Sequence, residues 1–463
     1  MASVVARALV TVDAEKASKQ DLELLKKLVM EFKDELDALG VKVDSLDKRV
    51  AVLEDRLGGW KVNGKFWFDA RFASNADNGN SYGFDANGAN DETQFGFSYA
   101  RLMVTKYIDD NAFFFFRARF NDGQGDLDNW FMDRFYVQMQ LPWDVTFTVG
   151  RQYSDWEGDA GLYRALVGDN EGGVWKDQKY DGFNFKKSFG MLDAELLVGR
   201  NDNMLTSSYN GYAYNTATGK GQANVGKNEN AFMEYGLKLQ ANFSENLYLG
   251  VQGVYFDADE VDVNAIDPTT VGYNVIVSDE LDVQQYGAYL SYSFTPAIAL
   301  RGYYYWQDLG DNNVTDDSPN AWSAMLDVKQ DLLKFTSLWV QYIEQDNSFI
   351  GPRASNQYPA IFTPGSKAGA AMGSDGTNKT WLVTAEQQWN DKWSSFLQYV
   401  TTDWDQSTVD DTDQYTIGIG YQYTPQIKFW LAYNYIDYGD GNGTAEGYRG
   451  NESVVLFRTA IDF

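Results

Sequence analysis

The chain has 463 residues, with 38 Lys and Arg against 66 Asp and Glu, and a formal net charge of -28 at pH 7. It contains no cysteine and no histidine, which excludes disulfides, cysteine metal sites and histidine-dependent nucleophile pairs. The negative charge also argues against a nucleic-acid partner, because the phosphates would be repelled. Catalysis is therefore not expected.

Residues 15–58 carry the apolar repeat of a coiled coil, preceded by a short segment at 1–14. Charged residues flank the repeat, so this helix needs partner helices rather than lipid. One amphipathic helix lying on its own domain is the alternative, but eleven consecutive seam positions exceed what a single buried face needs. At 1.5 Å per residue, a helix over 20–57 would span roughly 55 Å. The seam positions are Leu22, Leu25, Val29, Phe32, Leu36, Leu39, Val43, Leu46, Val50, Leu53 and Leu57.

At Trp60 the hydrophobic period changes to strict alternation, which continues to Phe463. Each alternating segment places polar residues on one face and apolar or aromatic residues on the other. A soluble β-sandwich would show the same alternation in any one strand. These segments run to 10–14 residues and end in aromatics, as tilted membrane-spanning strands do. The pattern predicts an all-β transmembrane antiparallel barrel over 60–463, preceded by an α-helical coiled coil.

Counting the alternating segments gives about 18 strands, with 16 as the alternative. Very short connections alternate with long polar ones at 74–91, 153–176, 202–230, 257–281 and 347–377. Short turns on one rim and long loops on the other are typical of bacterial outer-membrane barrels, whose short turns are periplasmic. An even count places both ends of the barrel on that rim, so the stalk is predicted to lie in the periplasm.

A barrel of 16 to 18 strands leaves an aqueous channel, so the lumen is the candidate site. The connection after the fifth strand is acidic and is predicted to fold inward as a constriction loop. Basic residues on the polar faces of the early strands would then form the opposite wall and create a transverse field. An ordinary solvated loop is the alternative. The loop residues are Asp155, Glu157, Asp159, Asp169 and Glu171; the wall residues are Arg71, Arg101, Arg117, Arg119 and Arg134.

Several acidic loops could offer oxygen ligands to a hard cation such as Ca²⁺. The candidate residues are Asp257, Asp259, Asp311 and Asp440. None of these loops has the twelve-residue spacing of a dedicated calcium loop, so solvated loops are the favoured interpretation. No cofactor is expected.

Three segments resemble a known family. The final strand, 455–463, ends on Phe463 and is similar to the signal read by the outer-membrane barrel assembly machinery. Residues 1–9 resemble the closing helix of an S-layer homology (SLH) domain, and 34–54 are similar to the stalk of SLH-anchored porins of the OmpM type.

The resemblance implies a homotrimeric outer-membrane porin whose periplasmic SLH domain binds peptidoglycan or its secondary polymer. About a dozen residues of such a domain are present, and no signal peptide precedes them. Wall binding is therefore expected of a longer gene product rather than of these residues. Two functions remain open: a passive diffusion channel for small hydrophilic solutes, and a structural tether whose pore is incidental or plugged.

Overall fold

The computed structural model divides into two units, Met1–Lys61 and Val62–Phe463. It describes residues 27, 59–74, 93–120, 130–162, 177–201, 213–215, 220–222, 232–258, 273–275, 283–308, 318–346, 349, 376–405, 410–437, 439 and 451–463. The SLH-like segment at 1–14 and the coiled coil at 15–58 lie outside the described residues, apart from Lys27, which is helical. Both remain predictions.

Eighteen antiparallel strands form one closed sheet, which confirms the larger of the two predicted strand numbers. Chain neighbours pair throughout, and the first strand pairs with the last, from Lys65 opposite Asp462 to Ser74 opposite Ser453. The barrel strands are β1 (Trp60–Ser74), β2 (Thr93–Tyr107), β3 (Ala112–Phe120), β4 (Trp130–Leu141), β5 (Val145–Asp155), β6 (Asp177–Phe189), β7 (Leu192–Asn201), β10 (Phe232–Ser244), β11 (Leu247–Ala258), β13 (Val283–Thr295), β14 (Ile298–Asp308), β15 (Asn320–Val328), β16 (Ser337–Asp346), β17 (Thr377–Gln388), β18 (Trp393–Asp403), β19 (Thr412–Thr424), β20 (Ile427–Asp437) and β21 (Asn451–Asp462).

Three short strands lie in the long connections and form a separate small sheet. These are β8 (Ala213–Asn215), β9 (Lys220–Gln222) and β12 (Tyr273–Val275), in the order β12-β8-β9. Two α-helical turns are also described, α1 (Trp156–Asp159) after β5 and α2 (Gln330–Leu333) between β15 and β16, and a 3-10 turn, Pro142–Asp144, joins β4 to β5. In the described part of the chain, no helix is long and apolar enough to cross a membrane.

Side chains alternate between the inside and the outside of the barrel. Along β16, buried and partly exposed residues alternate at every position. Polar side chains such as Thr380 and Asn434 are fully buried inside, whereas Leu237 and Ile417 are 47% and 56% exposed outside. An apolar outer surface this extensive is suited to lipid rather than to water.

Polar contacts join the two ends of the barrel. The Arg458 guanidinium donates two hydrogen bonds to the Asp69 carboxylate, at 2.7 and 2.8 Å, and Arg71 donates a third at 2.9 Å. At the rim, the backbone N–H of Gly64 donates to the Phe463 carbonyl at 2.6 Å. A Cβ at position 64 would lie 2.4 Å from the Phe463 ring, so glycine there allows the ring to pack against β1.

Candidate functional site in the lumen

The chain after β5 turns into the barrel and forms α1. The Asp155 side chain accepts a hydrogen bond from the Gly158 backbone N–H at 2.7 Å and so caps the turn. Trp156, Glu157, Ala160 and Leu162 are each at most 2% exposed. This part of the predicted loop is therefore packed inside the barrel.

The wall strands β10 and β11 hold α1 through its backbone carbonyls. Lys238 Nζ donates to the Trp156 carbonyl at 3.1 Å, and the Tyr248 hydroxyl donates to the Ala160 carbonyl. A Cβ on Gly236 would lie 2.9 Å from the Trp156 indole, so glycine at this position allows the indole to pack against β10. The first turn of the loop is consequently fixed to one side of the lumen.

An apolar cluster continues from α1 across the inward faces of the neighbouring strands. Tyr303 and Tyr305 stack within it, with ring centroids 4.4 Å apart. The cluster lines the side of the lumen opposite to β2–β4 in the strand order. Its members are Trp156, Ala160, Leu162, Tyr180, Leu197, Val254, Phe256, Tyr289, Tyr303, Tyr305, Ala321, Met325, Trp339, Ile343, Phe349, Leu382 and Val400.

The acidic residues of the predicted constriction loop have different surroundings. Glu157 is buried beside Tyr305. The side chain of Asp159 is 57% exposed, and its carboxylate lies 3.9 Å from Lys186 Nζ. Lys186 also lies 3.3 Å from the Glu195 carboxylate. Asp169 and Glu171 are outside the described residues, and the constriction itself remains a prediction.

Of the five predicted wall arginines, Arg71 lies on β1 and the other four lie together on β2–β4. Arg71 shares the Asp69 carboxylate with Arg458. On the neighbouring strands, Arg101 lies directly opposite Arg119, and Arg117 lies directly opposite Arg134. All four of these side chains share the inward face of β2–β4, because Phe114 and Phe135 pack together on the outer face with ring centroids 4.9 Å apart.

The same inward face carries aromatic residues that the sequence pattern did not predict. Phe113 and Phe115 lie on the lumen side of β3, and Tyr136 lies opposite Phe115 on β4. The four consecutive phenylalanines at 113–116 conceal the alternation, so no face can be read from them alone. The signal available in the sequence was the position of Phe115 two residues before Arg117, since a lumen-facing arginine fixes the face of every second residue.

Within the described residues, no group of three or more acidic side chains is placed to hold a metal ion. Of the calcium candidates, Asp257 lies in β11 opposite Met233. Asp259, Asp311 and Asp440 lie outside the described residues.

The fold and the lumen together define an eighteen-strand barrel with a membrane-type outer surface. No family model matches the chain, and no curated protein matches it in sequence. Among solved structures, it is similar to the trimer form of OmpT from Vibrio cholerae at 12% identity and a TM-score of 0.42, covering 87% of this chain and 99% of that one.

Two further structures are similar at the same level. The outer membrane channel DcaP of Acinetobacter baumannii has 10% identity and a TM-score of 0.45, with 88% of this chain and 98% of that chain covered. An anion-selective porin from Comamonas acidovorans has 12% identity and a TM-score of 0.43, with 87% and 99% covered.

Proposed function

We propose that the chain is an outer-membrane porin that allows passive diffusion of small hydrophilic solutes and ions. The observation that carries this proposal is the closed ring of eighteen strands with polar residues inside and apolar residues outside. A barrel of this size is wide enough to hold an aqueous channel. The absence of histidine from the sequence fits a role without acid-base catalysis.

Two sides of the lumen differ in charge, which supports a narrowed channel rather than a wide one. The acidic turn α1 lies against β10 and β11, and four arginines lie on β2–β4. Opposite charges on different walls of a pore create a field across it that orients polar solutes as they pass. The same loop position was predicted from sequence to be the constriction.

Placement in the outer membrane is supported by the connections between the strands. Strands are joined by turns as short as 245–246 and 425–426 on one rim and by long connections on the other, as in bacterial outer-membrane barrels. Phe463, directly after β21, is proposed as part of the barrel-assembly signal. The short-turn rim would face the periplasm, where the coiled-coil stalk links the membrane to the cell wall through an SLH domain that binds peptidoglycan or its secondary polymer.

The outer face supports assembly into a homotrimer. On β13–β20, tyrosine and tryptophan recur on this face, including Tyr286, Tyr304, Trp381 and Tyr415, as residues at a lipid interface do. On β1–β6 phenylalanines recur instead, and several pack ring against ring: Phe68 with Phe97, Phe72 with Phe95, Phe114 with Phe135 and Phe147 with Phe183. We infer that β1–β6 face other copies of the chain and that the other strands face lipid.

A structural tether with an incidental or plugged pore is the second candidate, supported by the predicted stalk. Solute entry into proteoliposomes distinguishes the two functions. Folded protein should admit small neutral sugars at rates that fall with sugar size, and a tether with a plugged pore should admit none. Replacing Asp155→Asn and Glu157→Gln should alter ion preference, whereas Asp331→Asn, an exposed change in α2, should not.

A further inference from the structure

The lumen face of β2–β4 carries a continuous aromatic surface near the short-turn rim. The Tyr136 ring lies 5.1 Å from the Phe115 ring and 6.2 Å from the Phe113 ring, between centroids, and the Tyr107 ring lies 6.1 Å from that of Phe113. Phe113, Phe115 and Tyr136 are partly exposed, and Tyr107 is 51% exposed. These four rings are therefore open to solutes in the lumen.

The rings of the apolar cluster, by contrast, are covered by their own neighbours. Tyr305 and Trp339 belong to that cluster and are 0% and 2% exposed. They stabilise the opposite side of the lumen and leave no ring face for a solute.

Uncharged hydrogen-bonding side chains lie beside the open rings on the same face. Thr105 is directly opposite Phe115, and Gln138 is directly opposite Phe113. Both polar side chains are partly exposed. Cross-strand neighbours have their Cβ atoms about 5 Å apart, so a molecule stacked on one of these rings also reaches a hydroxyl or an amide.

A solute that suits this surface has both an apolar face and hydrogen-bonding groups. Rings exposed to water are stabilised when a second apolar surface covers them. The Thr105 hydroxyl and the Gln138 amide carry no charge, so they suit neutral donors and acceptors rather than an ion. A pyranose sugar combines the two properties, because its ring faces present C–H groups and its edge presents hydroxyls. Small-molecule sites commonly join aromatic walls to a few placed polar groups in this way.

We propose that the aromatic surface of β2–β4 is a binding site for neutral pyranose sugars, with glucose as the simplest example. The sugar ring stacks on Phe115 and Tyr136, and its hydroxyls bond to Thr105 and Gln138. This inference rests on the proposed channel function and names the class of solute that the channel favours. Sorbitol is the matched comparison, because it has the same six carbons and similar hydroxyls but no closed ring.

The test records ion current through single channels of the full chain while glucose or sorbitol is added. A bound sugar obstructs the pore, so glucose should reduce the current at concentrations about 3- to 10-fold below those of sorbitol, the factor expected from burying one apolar sugar face on a ring. Equal effects of glucose and sorbitol would overturn the proposed site and leave the porin function intact. Absence of any current from folded protein would overturn both.

Leucine variants locate the effect. Phe115→Leu keeps an apolar side chain on the lumen face but removes the ring, so the glucose effect should fall to that of sorbitol. Phe116→Leu makes the same change one residue away on the outer face and should leave the glucose preference unchanged. Folding is verified by the shift in electrophoretic mobility on heating, and Tyr136→Leu gives the same test if Phe115→Leu does not fold. A glucose preference retained in the folded lumen variant would contradict the proposal.

Discussion

At the scale of single residues, the buried carboxylate of Asp69 neutralises two guanidinium groups at the join between the first and last strands. It is 0% exposed and accepts from both Arg458 and Arg71. A buried charge left without its partner costs far more than an exposed pair contributes. The Asp69 carboxylate therefore neutralises two arginines of the lumen and also holds the first strand of the barrel to the last.

Replacing Asp69→Asn should lower the free energy of unfolding by about 3–5 kcal/mol, because the buried Arg458 and the partly buried Arg71 lose their counter-charge. Urea unfolding of the barrel in lipid vesicles measures this change. Asp331→Asn removes the same charge from an exposed turn and should alter stability by less than about 0.5 kcal/mol. Similar losses in the two variants would show that the Asp69 contact does not hold the barrel closed.

The lumen position of Asp69 and Arg71 could be read from the sequence because β1 alternates clearly. That of Arg117 and Arg119 could be read because two arginines facing lipid would be costly. The pairing of Asp69 with Arg458 could not, since 389 residues separate them and only ring closure brings them together. The same limit applies to Arg117 and Arg134, whose direct opposition depends on a register shift after Arg117.

At the scale of elements, the turn α1 lies inside the barrel and is held against β10 and β11 on one side of the lumen. Its indole is fully buried between the wall glycine at 236 and the apolar cluster. The acidic composition of the loop was visible in the sequence. It predicted that the loop folds into the barrel because its carboxylates face basic residues on the wall. In the structure, α1 is attached to the wall by the Trp156 side chain and by two backbone carbonyls. Neither contact can be predicted from the pattern of charges in the sequence.

Trp156→Ala should release α1 from the wall, because it removes the largest apolar contact of the turn, a loss of about 3–5 kcal/mol. Single-channel conductance should rise and fluctuate more. Trp143→Ala is the matched control, since Trp143 is 83% exposed in the turn between β4 and β5. An unchanged conductance in Trp156→Ala would mean that α1 does not narrow the pore.

The long connections show a second limit of prediction at this scale. Alternation of polar and apolar residues identified most of the barrel strands, since each strand must cross the same apolar layer. The three-residue strands β8, β9 and β12 carry no such pattern and lie within segments predicted as polar loops. Pairing between distant loops depends on where the barrel places them, which local composition does not encode.

At the scale of the whole molecule, the unequal outer face predicts where copies of the chain meet. The sequence contains no cysteine, so single cysteines can be introduced without background. Phe95→Cys on β2 should form crosslinked species between copies when treated with a short bifunctional maleimide. Leu290→Cys on β13, also on the outer face and exposed, should not. Crosslinking of Leu290→Cys but not of Phe95→Cys would place the contact between copies on the other side of the barrel.

The central claim is that the barrel encloses an open aqueous channel, and conductance in planar lipid bilayers tests it most directly. Purified, correctly folded protein should insert with stable current steps in groups of three, as expected for three barrels in one trimer. A salt gradient across the same membrane then gives the ion preference. Repeated insertion of folded protein without any current would contradict the channel and leave the structural tether as the function.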